Sequence, residues 1–186
     1  SLEGNYREEH LFVLQQAVEL FDFYNQQIQD CDHQLEIRYG QFELPDHPGT
    51  PAPQFSKTKR SKISPSFDLP QSLYRMTGVD LTQIDGLEAL SIQTILTEIG
   101  TDMSKWPTVK HFTSWLGVAP NNKITGGQIK SRSTKKTKSR ANTAFRRAAQ
   151  SLARSQSASG AFYRRIRAKH GGPVAITATA HRLARI

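Results

Sequence analysis

The residues of this chain with the most chemical potential gather between Lys123 and Arg140. Hydroxyls at Thr125, Ser131, Ser133, Thr134, Thr137 and Ser139 are interleaved there with Lys123, Lys130, Arg132, Lys135, Lys136, Lys138 and Arg140. A hydroxyl surrounded by fixed positive charge can attack phosphorus, while the cations stabilise the pentavalent centre and its leaving oxygen. The same residues suit a simpler task, in which hydroxyls hydrogen-bond phosphates and the bases offset their charge. Composition leaves both readings open and favours the second.

The charge pattern around this stretch narrows the partner. From Met103 to Ile186 there is no Asp or Glu, and eighteen of the 25 Lys and Arg lie there. All 16 acids sit in residues 1–102, so a chain of net charge +9 is acidic in front and strongly basic behind. An ordinary solvated surface carries both signs. A surface with one sign only is suited to a polyanion, and nucleic acid is the abundant one. A second basic set follows the loop: Arg146, Arg147, Arg154, Arg164, Arg165, Arg167 and Lys169, with Phe162 and Tyr163 among them. It could track a phosphate backbone, with the two rings either stacking on bases or filling a core.

Other chemistries find no footing. The six His and the lone Cys31 show no metal-ligand spacing, and neither a phosphate-binding loop nor a dinucleotide fingerprint is present. Asp80 and Asp85 read as caps or surface acids rather than a two-metal pair. A single cysteine allows no intrachain disulfide, which fits a reducing cytoplasmic, nucleoid-associated setting. No apolar run reaches membrane-spanning length. The chain starts Ser1-Leu2-Glu3-Gly4 without Met and stops at Ile186 without a helix-ending signal, which predicts a piece of something longer.

An all-α fold with one small β-hairpin is expected to position these residues. Leu11, Leu14, Val18, Phe21, Ile28 and Leu35 recur at three- and four-residue steps, predicting a long helix over about 7–40. It is either a coiled-coil arm that pairs with another helix or a helix packed on its own domain. Five prolines and the cluster Lys57-Thr58-Lys59-Arg60-Ser61-Lys62 make residues 43–67 a Pro/Lys-rich flexible linker. The expected organisation is therefore 1–42 coiled-coil helix, 43–67 linker and 68–186 nucleic-acid-binding domain. Asp68 should cap a helix to about Met76. The turn at Ile84–Leu90 resembles a helix-hairpin-helix through Gly86-Leu87, although Glu88 replaces the usual second glycine and would repel phosphate. A helix then runs to Ile99 and is closed by Gly100. Trp106-Pro107 should open the next, with proline in its first turn. Gly126-Gly127 between β-prone runs marks a two-residue hairpin. Helices are expected at about 141–157 and 158–170, with a last one starting near Val174.

The order of these blocks resembles the C-terminal domain of the insertion-sequence one-ten (one-one-six/one-ten/nine-zero-two) family of transposases. The matching features are Ile84-Asp85-Gly86, Leu96-Thr97-Glu98-Ile99-Gly100, Phe112-x-x-Trp115-Leu116-Gly117-x-x-Pro120 and Asn122-Lys123-Ile124-Thr125-Gly126-Gly127, then the basic loop and Arg-rich helices. The upstream helix and Pro-rich break resemble the coiled-coil segment that joins this domain to the family's catalytic half. The resemblance implies a DNA recombinase that works with a structured guide RNA and assembles through its coiled coil, here a homodimer. It implies a Mg²⁺-binding DEDD domain, which this sequence lacks, so no cofactor is expected in these residues. It also implies a serine nucleophile in a Ser-Gly motif, whose position is occupied by Thr125, with Ser131 and Ser133 as alternatives. The implied nucleic-acid contacts are Lys123, Gly126, Gly127, Lys130, Arg132, Lys135, Lys136, Lys138, Arg140, Arg146 and Arg147. The alternative is a non-catalytic nucleic-acid-binding and dimerisation module. Attachment to a membrane is not expected.

Overall fold

A 3.5-residue apolar repeat and acids in the first turn with Arg38 in the last favour one uninterrupted helix, and α1 runs from Glu8 to Gly40. In the computed structural model, which describes residues 4, 6–42, 64–131 and 133–186 (Ile129 in its backbone only), most of this helix stands apart. Leu11, Leu14, Val18, Phe21 and Ile28 are each at least half exposed. Among the described residues it is the C-terminal end that docks. Leu35 and Tyr39 join the core, the Tyr39 ring lies 5.9 Å from that of Phe67, and its hydroxyl accepts a hydrogen bond from Gln93. The Ser66 N–H donates to Asp32 at 2.8 Å, pinning the end of the Pro-rich segment to the same helix. Residues 43–63, the rest of the predicted linker, lie outside the described residues, as does Arg132.

The remaining helices are short and sharply punctuated. Asp68 caps α2 (Leu69–Thr77) by accepting from the Gln71 N–H, as its position predicted. A single 3₁₀ turn at Leu81–Gln83 leads through Gly86-Leu87 into α3 (Ala89–Ile99). The first limb of the expected helix-hairpin-helix is thus one 3₁₀ turn. Its Gly86 faces inward, because a Cβ there would come within 2.9 Å of the Ala148 carbonyl oxygen. Helix α4 (Val109–Trp115) begins after Pro107, not on it. Thr108 wins the boundary: its backbone is extended and its hydroxyl accepts from the His111 N–H. Strands β1 (Lys123–Thr125) and β2 (Gln128–Ser131) form the antiparallel hairpin, with Thr125 opposite Gln128.

Helix α5 (Arg140–Ser151) is shorter than the predicted 141–157. A 3₁₀ turn at Leu152–Arg154 and a serine turn interrupt it before α6 (Ala158–His170). The Ser155 hydroxyl donates to Ser157, and Ser157 caps α6 through the Gly160 N–H. Local serine bonds here outcompete helix continuation. Helix α7 (Gly172–Leu183) carries Pro173 in its first turn, where a missing N–H costs nothing.

The core is built around α5. Its buried face is Ala141, Ala144, Phe145, Ala148 and Ala149, so neighbouring helices can approach closely. Helix α3 packs on it through Ile92, Ile95, Leu96 and Ile99, and α7 through Ala180 and Leu183. Helix α6 leans on α7. Among the described residues no helix is long and apolar enough to cross a membrane. Denaturant unfolding should show Ile92→Ala, 1% exposed, losing about 2–5 kcal/mol of stability. Val79→Ala, at a site 57% exposed, should stay within about 0.5 kcal/mol of the parent.

Candidate nucleic-acid interface

The basic loop is fastened to the helical core at the end of α4. Leu116 and Gly117 leave the helix with Gly117 at φ 76°, a conformation that suits glycine. The space where its Cβ would be is taken by Thr137, whose methyl and hydroxyl lie 2.6 and 2.8 Å from that point. The Leu116 carbonyl then accepts two hydrogen bonds, from the buried Asn142 amide at 2.6 Å and from the Thr137 hydroxyl at 3.3 Å. A second strap lies further along: Pro120 and Thr134 form an antiparallel bridge, and the Asn121 N–H donates to Ser133.

This fastening sorts the loop. Thr134, Thr137 and Ser139 are half-buried, whereas Lys135, Lys136, Lys138 and Arg140 are exposed. Ser139 caps α5 by accepting from the Asn142 N–H, and Glu98 reaches across from α3 to accept from the Ala141 N–H at 2.5 Å. The acidic residues nearest the basic half are occupied in the same way. Asp102 accepts from the Ser104 N–H, and Asp80 accepts from Thr82 and Gln83. Burial works against ionised Asp80, but the hydrogen bonds from Thr82 and Gln83 outweigh it and hold the carboxyl below its ordinary range. Hydrogen bonds from Ser104 do the same for Asp102. Among the described residues the one ion pair is Arg7 with Glu9 on α1, so no described base beyond residue 102 is held in an ion pair.

The hairpin projects Thr125 to an open tip. Gly126 and Gly127 take φ of 58° and 73°, the pair of left-handed residues a tight hairpin turn requires. No heavy atom lies within 4 Å of where their Cβ atoms would stand. Lys123, Thr125 and Lys130 are exposed. Among the described residues no side chain hydrogen-bonds the Thr125 hydroxyl. Ser131 and Ser133, the alternative nucleophiles, bond each other at 3.0 Å in a local turn. Among the described residues no three His, Cys, Asp or Glu side chains gather as metal ligands would.

The helical bases divide by task. Arg147 is exposed, whereas Arg146 is half-buried and donates to the Thr177 hydroxyl at 3.0 Å, tying α5 to α7. Arg164 donates to the carbonyls of Ala153 and Ser155, closing the turn before α6. Tyr163 is core, while Phe162 is half-buried under the guanidinium groups of Arg165 and Arg182. Burial, and then the nearby Arg185 charge, lowers the pKa of His181. His181 therefore takes up its charge only at a pH below the ordinary histidine value. Sequence reasoning missed Asn142, Glu98 and Arg182. A backbone acceptor such as the Leu116 carbonyl leaves no mark in sequence, and Arg182 meets Phe162 only through the α6–α7 packing.

Residues 80–164 match the model of the Transposase IS116/IS110/IS902 family. The match takes in the Gly86 turn, the Leu116-Gly117 corner, the hairpin, the basic loop, α5 and half of α6; α1 and α7 lie outside it. The matched stretch is similar to that family's domain, and it coincides with the blocks that carried the resemblance. No curated protein and no solved structure matches the chain.

Gly117→Ala should force Thr137 off the Leu116 carbonyl and loosen the basic loop. Limited trypsin digestion should then cut after Lys135, Lys136 or Lys138 several-fold faster than in the parent. Equal rates would show that Gly117 does not hold the loop.

Proposed function

We propose, from the match of residues 80–164 to that transposase family, that this chain is the nucleic-acid-engaging C-terminal portion of a transposase. It would hold DNA and a structured guide RNA through Lys123, Lys130, Lys135, Lys136, Lys138, Arg140 and Arg147, together with Arg132. The observation that carries the reading is the exposed, acid-free basic loop strapped to the Leu116-Gly117 corner inside the matched segment. Positive side chains without ion-pair partners are free to neutralise phosphates and release counterions. The backbone N–H groups at the Gly126-Gly127 tip are open to the same partner.

In this reading Thr125 supplies the nucleophile of a composite active site. Its Oγ forms a bond to a DNA phosphorus as the bond from that phosphorus to a deoxyribose oxygen breaks, and the freed oxygen takes up a proton. The threonine proton passes to a base brought by the other half of the site. One phosphodiester replaces another, so the reverse step can rejoin a strand. A threonine is stiffer at χ1 than a serine and its methyl crowds the in-line approach. In an intact transposase carrying this domain, Thr125→Ala should abolish the covalent protein–DNA adduct and Thr125→Ser should preserve or speed it. Normal recombination by the Thr125→Ala protein would end the nucleophile role.

A second reading, a non-catalytic binding and dimerisation module, draws on the same open tip, where no described residue hydrogen-bonds the Thr125 hydroxyl. In either reading the uncovered seam of α1 joins two copies, since Leu11, Leu14, Val18 and Phe21 face solvent in one chain. Light scattering should give the mass of a dimer, and Leu14→Glu with Phe21→Glu should give that of a monomer. A parent already monomeric at micromolar concentration would rule the pairing out.

A further inference from the structure

Phe162 sits where α6 and α7 pack, and it gathers one guanidinium from each helix. The Arg165 carbon lies 5.6 Å from the ring centroid and the Arg182 carbon 5.0 Å. Attraction to the ring quadrupole favours each cation individually. It does nothing to relieve the repulsion between two like charges drawn to one ring. Elsewhere such a pair would be relieved by a carboxylate, but there is none from Met103 to Ile186. Arg165 and Arg182 are both exposed, and neither is consumed by a backbone carbonyl as Arg164 is. Two planar forks held on one platform, with no ion-pair partner among the described residues, have the chemistry to grip a phosphodiester.

We propose that Arg165 and Arg182, seated on Phe162, form a second phosphodiester-binding site, carried by α6 and α7 rather than by the hairpin and basic loop. The inference rests on the reading of the chain as a nucleic-acid binder. It adds that α7, which lies outside the family match, takes part in binding. Phe162 acts as a positioning residue: it limits the freedom of both side chains before the phosphate arrives, so less freedom is given up on binding.

The test uses the full chain with labelled duplex DNA and, separately, labelled structured RNA across a salt series. Arg165→Gln with Arg182→Gln should reduce the slope of log affinity against log salt by roughly 0.7–0.9 for each phosphate left without its cation. Phe162→Leu, which keeps both charges, should weaken binding several-fold and leave the slope nearly unchanged. A loss of affinity confined to one nucleic acid would identify which of them supplies the phosphate. Lys135→Gln, Lys136→Gln and Lys138→Gln together probe the basic loop independently. If that triple change lowers the slope while the double arginine change leaves it at the parent value, the α6–α7 site is refuted and the general reading stands. If the parent chain binds neither nucleic acid, both fall. The two arginines are exposed, so their replacement should lower the thermal unfolding midpoint only slightly, and it remains decisive even if Phe162→Leu perturbs the fold.

Discussion

One carbonyl oxygen does the most to join the two halves of this domain. Leu116 ends α4 and offers its C=O to Asn142 in α5 and to Thr137 in the basic loop. The Thr137 bond is possible because Gly117 has no side chain to keep Thr137 away. A buried carbonyl left without partners costs about 1–3 kcal/mol, so this corner is strongly held once formed. The Thr137 hydroxyl turns inward to the Leu116 carbonyl and the Ser139 hydroxyl to the Asn142 N–H, while Lys135, Lys136 and Lys138 beside them turn out.

Charge is arranged with similar economy. A domain this rich in cations could be expected to quench itself with acids, and it does not. Glu98 is committed to the first turn of α5, and Asp68, Asp80 and Asp102 to the turns that follow them. Carboxylates at helix starts are favoured by backbone N–H groups and by the helix dipole. They therefore stabilise the fold without closing off the basic surface. The cost is self-repulsion among the exposed bases, so a bound polyanion would stabilise the folded domain as well as occupy it.

Much of this was readable in one dimension. The Gly-Gly hairpin, the Asp68 cap, the Gly100 stop and the α6 boundaries are local matters, settled by the conformations that glycine, proline and capping side chains allow. The family blocks were legible because their order spans the matched segment. Two boundaries were misplaced because a neighbour competed: Thr108 capped α4 ahead of Pro107, and serine bonds at Ser155–Ser157 cut the helix after Ser151. The Leu116 corner and the Phe162 cluster were invisible for a different reason. Each depends on residues tens of positions apart that only packing brings together, and one of the key acceptors is backbone. Whether Thr125 is a nucleophile was not legible in the sequence, because a hydroxyl on a turn looks the same whether or not a second subunit reaches it.

Helix α1 also has a mechanical meaning. It is 33 residues long, and among the described residues it meets the rest of the domain at its C-terminal end, at Asp32, Leu35 and Tyr39. At about 1.5 Å per residue it is a rod of roughly 50 Å, clamped at one end. Whatever joins its free end is held at a set distance and a set azimuth from the hairpin. Inserting one residue in the rod would swing that cargo by about 100° around the axis while moving it only slightly outward. The helix is thus a ruler and a protractor together, and its register, more than its composition, would decide which surfaces of an assembly meet.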